Sequence, residues 1–144
     1  MTIEKDKLET IIREVLGEML SESGKNHGVK KIALPILSVR DVDRMDTGNP
    51  EDIVYTRDLF TLDESPRLGC GLMEMENTTF EWTLTYDEID YIIDGELSII
   101  IDGETITAGP GEVLLIPKNS NIQFSVKDKA RFIYVVYPAN WQNA

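Results

Sequence analysis

Residues Trp82–Gly95 read W-T-L-T-Y-D-E-I-D-Y-I-I-D-G. Side chains alternate faces along a strand, so Glu88, Asp90 and Ile92 share one face of this stretch. If that face points inward, Asp90 is out of place, because its neighbours there are apolar. Two carboxylates on one wall raise each other's cost of ionisation, and burial adds to it. A pair perturbed in this way inside a cavity is a functional-site candidate. The stretch closes on Asp94-Gly95, a strong turn signal.

Working outward, the downstream chain continues in short strands. Asp94-Gly95 and Asp102-Gly103 bracket Glu96–Ile101, which has the length and β-branched content of a strand. Thr105–Thr107 opens another, and Gly109-Pro110-Gly111 turns the chain. Val113–Ile116 is a short apolar strand stopped by Pro117, and Ile122–Val126 and Arg131–Tyr137 complete the run. Such even spacing predicts an all-β sandwich or barrel rather than βαβ units. Upstream, residues 41–67 are irregular, with loops at Thr47–Pro50 and Ser65-Pro66.

The N-terminal part differs. Over residues 3–20, Leu8, Ile11, Ile12, Val15, Leu16, Met19 and Leu20 recur at helical spacing, which predicts an amphipathic helix fading at Ser21–Gly24. Residues 21–28 then read as a polar linker. The expected organisation is a helix and linker over residues 1–28, and a β-domain over residues 29–144, with strands from Val29 onward. The helix has two roles open to it: packing on its own domain, or laying its apolar face into a groove on a partner protein.

The formal net charge is −12 and the pI about 4.4, which argues against nucleic acid and anionic membranes as partners. No apolar run approaches the roughly 18 residues of a membrane span. The opening Met1–Asp6 has no basic, apolar secretory pattern, so a cytoplasmic protein is expected. Cys70 is the single cysteine, expected as a small buried thiol.

Two spacings now acquire a family meaning. E-x6-G from Glu88 to Gly95, G-x5-P from Gly111 to Pro117, and G-E-L-S-I-I-I-D-G-E-T-I-T-A-G-P-G-E-V-L-L-I-P-K-N between them resemble the cupin superfamily over roughly residues 80–126. The resemblance implies an antiparallel jelly-roll barrel, commonly a homodimer. More narrowly, F-E-W-T-L-T-Y-D-E-I-D-Y (Phe80–Tyr91) and I-P-K-N-S-N-I-Q-F (Ile116–Phe124) resemble the Q-type proteins of bacterial ethanolamine utilisation. That likeness implies a place in a microcompartment pathway and acetate kinase activity, making acetyl phosphate from acetate and ATP. It also suggests that the helix recruits shell or cargo proteins of the microcompartment.

The chain departs from the cupin pattern where metal is bound. Trp82, Leu84 and Ile122 stand at positions of the usual histidine ligands, and the sole histidine, His27, lies in the linker. Glu88 alone would hold a first-row transition metal weakly, so no tightly bound one is expected and no metal ligand is assigned. Mg²⁺ arriving with ATP remains compatible with oxygen ligands.

The candidate catalytic residues are Glu88, Asp90 and Tyr86, with Trp82 and Lys118 as candidate substrate-binding residues, Lys118 supplying a cation near the barrel mouth. Plainer roles stay open: the carboxylates as structural hydrogen-bonding groups, Trp82 as core, Lys118 as a solvated charge, and Ile122 and Phe124 as filler. No G-x-x-x-x-G-K-[ST] loop is present, and Arg57 or Arg67 is the alternative source of positive charge. The competing class is a non-catalytic cupin module that binds a small carboxylate, a nucleotide or another ligand, or assists assembly.

Overall fold

A computed structural model describes residues 4–24 and 27–143, without the side chains of 17–24 and 143. The chain divides into two compact units, Met1–Leu37 and Ser38–Ala144. The first carries helix α1 (Lys5–Gly24), which runs through the segment where it was expected to fade. Asp6 lies in its first turn, where a carboxylate complements the helix dipole. Leu8, Ile11, Ile12, Val15 and Leu16 are exposed along it. Met19 and Leu20 fall outside the described side chains, and part of the expected linker lies outside the described residues. Among the described residues no helix is long and apolar enough to cross a membrane.

The second unit is the barrel: β1 (Ile53–Asp58), β2 (Gly69–Thr83), β3 (Asp87–Gly95), β4 (Leu97–Ile101), β5 (Glu104–Ala108), β6 (Val113–Ile116) and β7 (Asn121–Tyr137). All pairings are antiparallel. The strands begin at Ile53, not near Val29, and β1 falls in the region expected to be irregular. Its sequence I-V-Y-T-R-D mixes polar and apolar residues because β1 is the outermost strand beside β2 and only Val54 in it is fully buried, which weakens the local signal.

The two strands expected at Ile122–Val126 and Arg131–Tyr137 are one continuous strand, β7. Lys127, Asp128 and Lys129 break the apolar pattern but are exposed, and the ladder resumes at Lys129 opposite Glu76. β2 follows one edge of β7 along its whole length, while β4 and then β3 share the other edge. A bulge between Glu76 and Thr78 lets this long pair bend. Buried Thr78 pins the bulge: its Oγ1 accepts from the Ile53 amide and donates to the Glu76 carbonyl, each at 2.8 Å.

The interior follows from alternation. Val54, Leu84, Ile92, Leu97 and Phe132 are wholly buried, joined by Phe80, Ile122, Phe124 and Val136. At the end of β3, Gly95 has φ +76 and faces the Lys129 carbonyl so closely that no Cβ fits. This explains the glycine of the E-x6-G spacing by backbone geometry.

Candidate functional site

The acidic pair sits where alternation along β3 puts it. Glu88 is 5% exposed and Asp90 0%. Glu88 lies in register between Ile116 and Val136, and Asp90 between Leu114 and Tyr134, so the strands on either side supply no cation. Among the described residues, Oε2 of Glu88 and both oxygens of Asp90 are buried with no partner but each other's carboxyl, which one shared proton lets them hydrogen-bond. Burial pushes the Glu88 carboxyl up to about 7, and burial followed by the charge of Glu88 pushes Asp90 well above the usual carboxylate range. At neutral pH this wall therefore carries a proton that an exposed pair would have lost.

Above the pair stands an aromatic enclosure. The Trp82 Nε1–H donates to Tyr86 Oη at 2.7 Å. Trp141, on the turn Trp141–Asn143, meets Trp82 at 6.0 Å and 62° and Tyr86 at 5.4 Å. Phe80 stacks on Phe124 at 5.3 Å and meets Trp82 edge-on at 6.1 Å. From β7, Tyr134 reaches inward and donates to Asp58 Oδ1 at 2.9 Å. Burial raises both tyrosine hydroxyls beyond their ordinary range, with Glu88 as the next cause at Tyr86 and Asp58 at Tyr134. Both stay neutral donors and acceptors at physiological pH.

These groups, with Met45, Thr56, Met73, Val136 and Glu88, line an inner cavity of about 30 Å³. An outer basin of about 590 Å³ adjoins it, sharing Met45, Thr56, Trp82, Tyr86 and Trp141, and its rim includes Asp43, Arg44, Asp46, Thr83 and Thr85. Among the described residues Arg44 is the one cation lining the basin, and none lines the inner cavity. It donates to the Asp52 carbonyl at 2.6 Å and lies over the Tyr55 ring. Asp43 is already taken by Arg40, whose guanidinium holds its carboxyl below the usual range.

The structure thus brings together Tyr86, Glu88 and Trp82, with Asp90 immediately behind Glu88. It does not bring Lys118 to them. Lys118 is exposed after β6, with its backbone amide donating to Asp87 Oδ1 at 2.8 Å. Arg57 donates to the Ser38 carbonyl at 2.6 Å and Arg67 is exposed; neither lines either space. Cys70 is half-buried on β2 rather than buried. Sequence reasoning missed Tyr134 and Trp141. Alternation along Phe132–Val136 marks Tyr134 as an inward hydroxyl, whereas Trp141 has no periodic context in its polar segment.

A resident transition metal does not fit these residues. Leu84 and Ile122 are buried core, Trp82 is held by Tyr86, and among the described residues no three acidic, histidine or cysteine groups converge.

The family model described as ethanolamine utilisation protein EutQ matches residues 3–143. The chain belongs to the EutQ family. Acetate kinase EutQ of Clostridioides difficile (strain 630) is 56% identical, covering 96% of this chain and 94% of that protein. The solved structure of the Clostridium difficile EutQ protein superposes with a TM-score of 0.79 at 66% identity, covering 81% of this chain and 85% of that one. The cupin domain of Schizosaccharomyces pombe Cnp3 superposes at TM-score 0.58 and 15% identity, covering 78% and 77% of the two chains. That last likeness concerns fold alone. The barrel has the cupin fold, as the spacings around Glu88 and Gly111 imply, and membership of the EutQ family fits the Phe80–Tyr91 and Ile116–Phe124 phrases.

Proposed function

We propose that this EutQ-family chain is an acetate kinase, transferring the γ-phosphoryl group of ATP to an acetate oxygen. The observation that carries the reading is the 56% identity, over nearly the full length of both chains, to a protein named acetate kinase. In the reaction an acetate oxygen forms a bond to phosphorus, the bond from phosphorus to the bridging oxygen breaks, and ADP leaves. Mg²⁺ comes as part of the nucleotide substrate. A cavity without a lining cation holds a carboxylate best through neutral donors. The proton held by Glu88 and Asp90 supplies one, as buried carboxylic acids do elsewhere, and the Tyr86 hydroxyl lies beside it. The acetate methyl group then faces Met73 and Phe124, and the wider basin has room for the nucleotide.

The test is acetyl phosphate and ADP formation from acetate, ATP and Mg²⁺. Glu88→Gln and Asp90→Asn are each expected to lower kcat/KM for acetate by roughly 100-fold, the scale of a positioned proton donor. Equal turnover in folded wild type and both variants would remove the acid pair from the mechanism.

We also propose that α1 attaches the barrel to a microcompartment component through the Leu8, Ile12 and Val15 face, which is exposed in the structure. Deletion of residues 1–24 is expected to leave the barrel's urea midpoint unchanged while abolishing co-purification with the shell. A lowered midpoint would instead assign the helix to packing.

A further inference from the structure

We propose that the inner cavity is also a receptor for a small primary alkylammonium, with its NH₃⁺ against Glu88 and its carbon chain boxed by Trp82, Tyr86 and Trp141. Two carboxyls are buried side by side and hydrogen-bond each other, and once one has ionised their negative charge has no cation among the residues lining the cavity, which is costly. An ammonium brings three N–H donors and one positive charge. Glu88 lines the cavity and makes the contact; Asp90, one step deeper, contributes its field.

Shape and polarity point to the same ligand. Ring faces and edges of Trp82, Tyr86 and Trp141 close the neck, and aromatic faces attract cations most strongly when water is excluded. The space of about 30 Å³ admits only a few non-hydrogen atoms, which favours a primary ammonium over a quaternary one. The net charge of −12 raises the local concentration of cations, while Asp46 and Arg44 at the rim offset one another. Glu88 is faced by Asp90 on its own strand, by Tyr134 from β7 and by Tyr86 from the turn before β3, and none of these competes as a cation. The same floor thus accepts a carboxylate when it carries its proton and an ammonium when it has lost it, so the two ligands exclude one another.

The chain offers its own probe, since its two tryptophans are Trp82 and Trp141. Ethylammonium chloride is titrated at pH 8 and fixed ionic strength while tryptophan emission is followed, with ethanol, sodium acetate and tetramethylammonium as controls. A saturable change for ethylammonium, at least tenfold weaker or absent for each control, is expected. Glu88→Gln should weaken binding at least tenfold, and Trp141→Leu at least threefold with Trp82 still reporting. Lowering the pH to 5.5 should weaken it as the pair takes up protons. A flat titration, an equal response to ethanol, or undiminished binding in Glu88→Gln would overturn the proposal. Should Glu88→Gln not fold, undiminished binding in Trp141→Leu overturns it instead. No nucleotide is present, so the outcome is separate from that of the kinase assay.

Discussion

Unfolding in urea becomes easier as the pH rises from 5 to 8, by about 3 kcal/mol from Glu88 alone. The sign follows from the direction of the shift. Burial raises the Glu88 carboxyl in the folded state from an ordinary value near 4.5 to about 7. The folded protein then holds a proton that the unfolded chain has released. Stability from this source is fully present below the unfolded value and is lost as the pH passes upward through about 7. Asp90 is raised for the same reason and extends the loss to higher pH. The window starts at pH 5 because Asp43, held down by Arg40, acts in the opposite sense at lower pH. Self-repulsion of an acidic chain adds a slope of the same sign, so the comparison that decides is with the Glu88→Gln/Asp90→Asn double variant. It should be the more stable protein at pH 8 and show a much flatter profile. A wild-type slope that persists in the variant would show that the pair is not what the fold is working against.

Replacing Gly71 by alanine is expected to cost about 3 kcal/mol, from overpacking and a lost hydrogen bond. Gly71 lies opposite Tyr134 across β2 and β7, and the phenol ring occupies the space a Cβ would need. That ring is 5% exposed and tied to Asp58, so it can yield only toward the inner cavity. The substitution therefore acts on stability and on the site together: the midpoint drops and the cavity fills. Shortening the ring in the same chain, Gly71→Ala/Tyr134→Leu, should be less destabilised than the sum of the single changes, because the clash has gone. Measured urea midpoints that add, or a Gly71→Ala cost below about 1 kcal/mol, would mean the strand pair simply spreads.

What was legible in the sequence was what local chemistry dictates. Asp94-Gly95 and Asp102-Gly103 are turns because their residues suit them, and the alternation through Glu88, Asp90 and Ile92 settled their common face. β1 and β2 were not legible: their apolar residues are interrupted by Thr56, which lines the inner cavity, by Arg57, which bonds the Ser38 carbonyl, and by Glu74 and Glu76, which pair with Arg131 and Lys129 across the sheet, so neither reads as a continuous strand. The floor of the site was likewise readable from one strand, whereas its roof was not. Trp141 is brought over Trp82 and Tyr86 from far along the chain, and no spacing encodes that. Lys118 misled because nearness to the barrel rim says nothing about side-chain direction; its backbone serves Asp87 while its ammonium stays in water.

The position of β7 also governs when this protein can exist at all. Without it the remaining ladders fall into three separate pieces, β1 with β2, β3 with β6, and β4 with β5. A nascent chain that has reached Ser120 holds every residue of the acidic pair's strand but cannot enclose it. The carboxylates are enclosed only when Asn121–Tyr137 has been synthesised and pairs with β2, β3 and β4. Such late, long-range closure is slow and leaves sheet edges open in the meantime. The nascent protein therefore acquires its chamber only after β7 has been made.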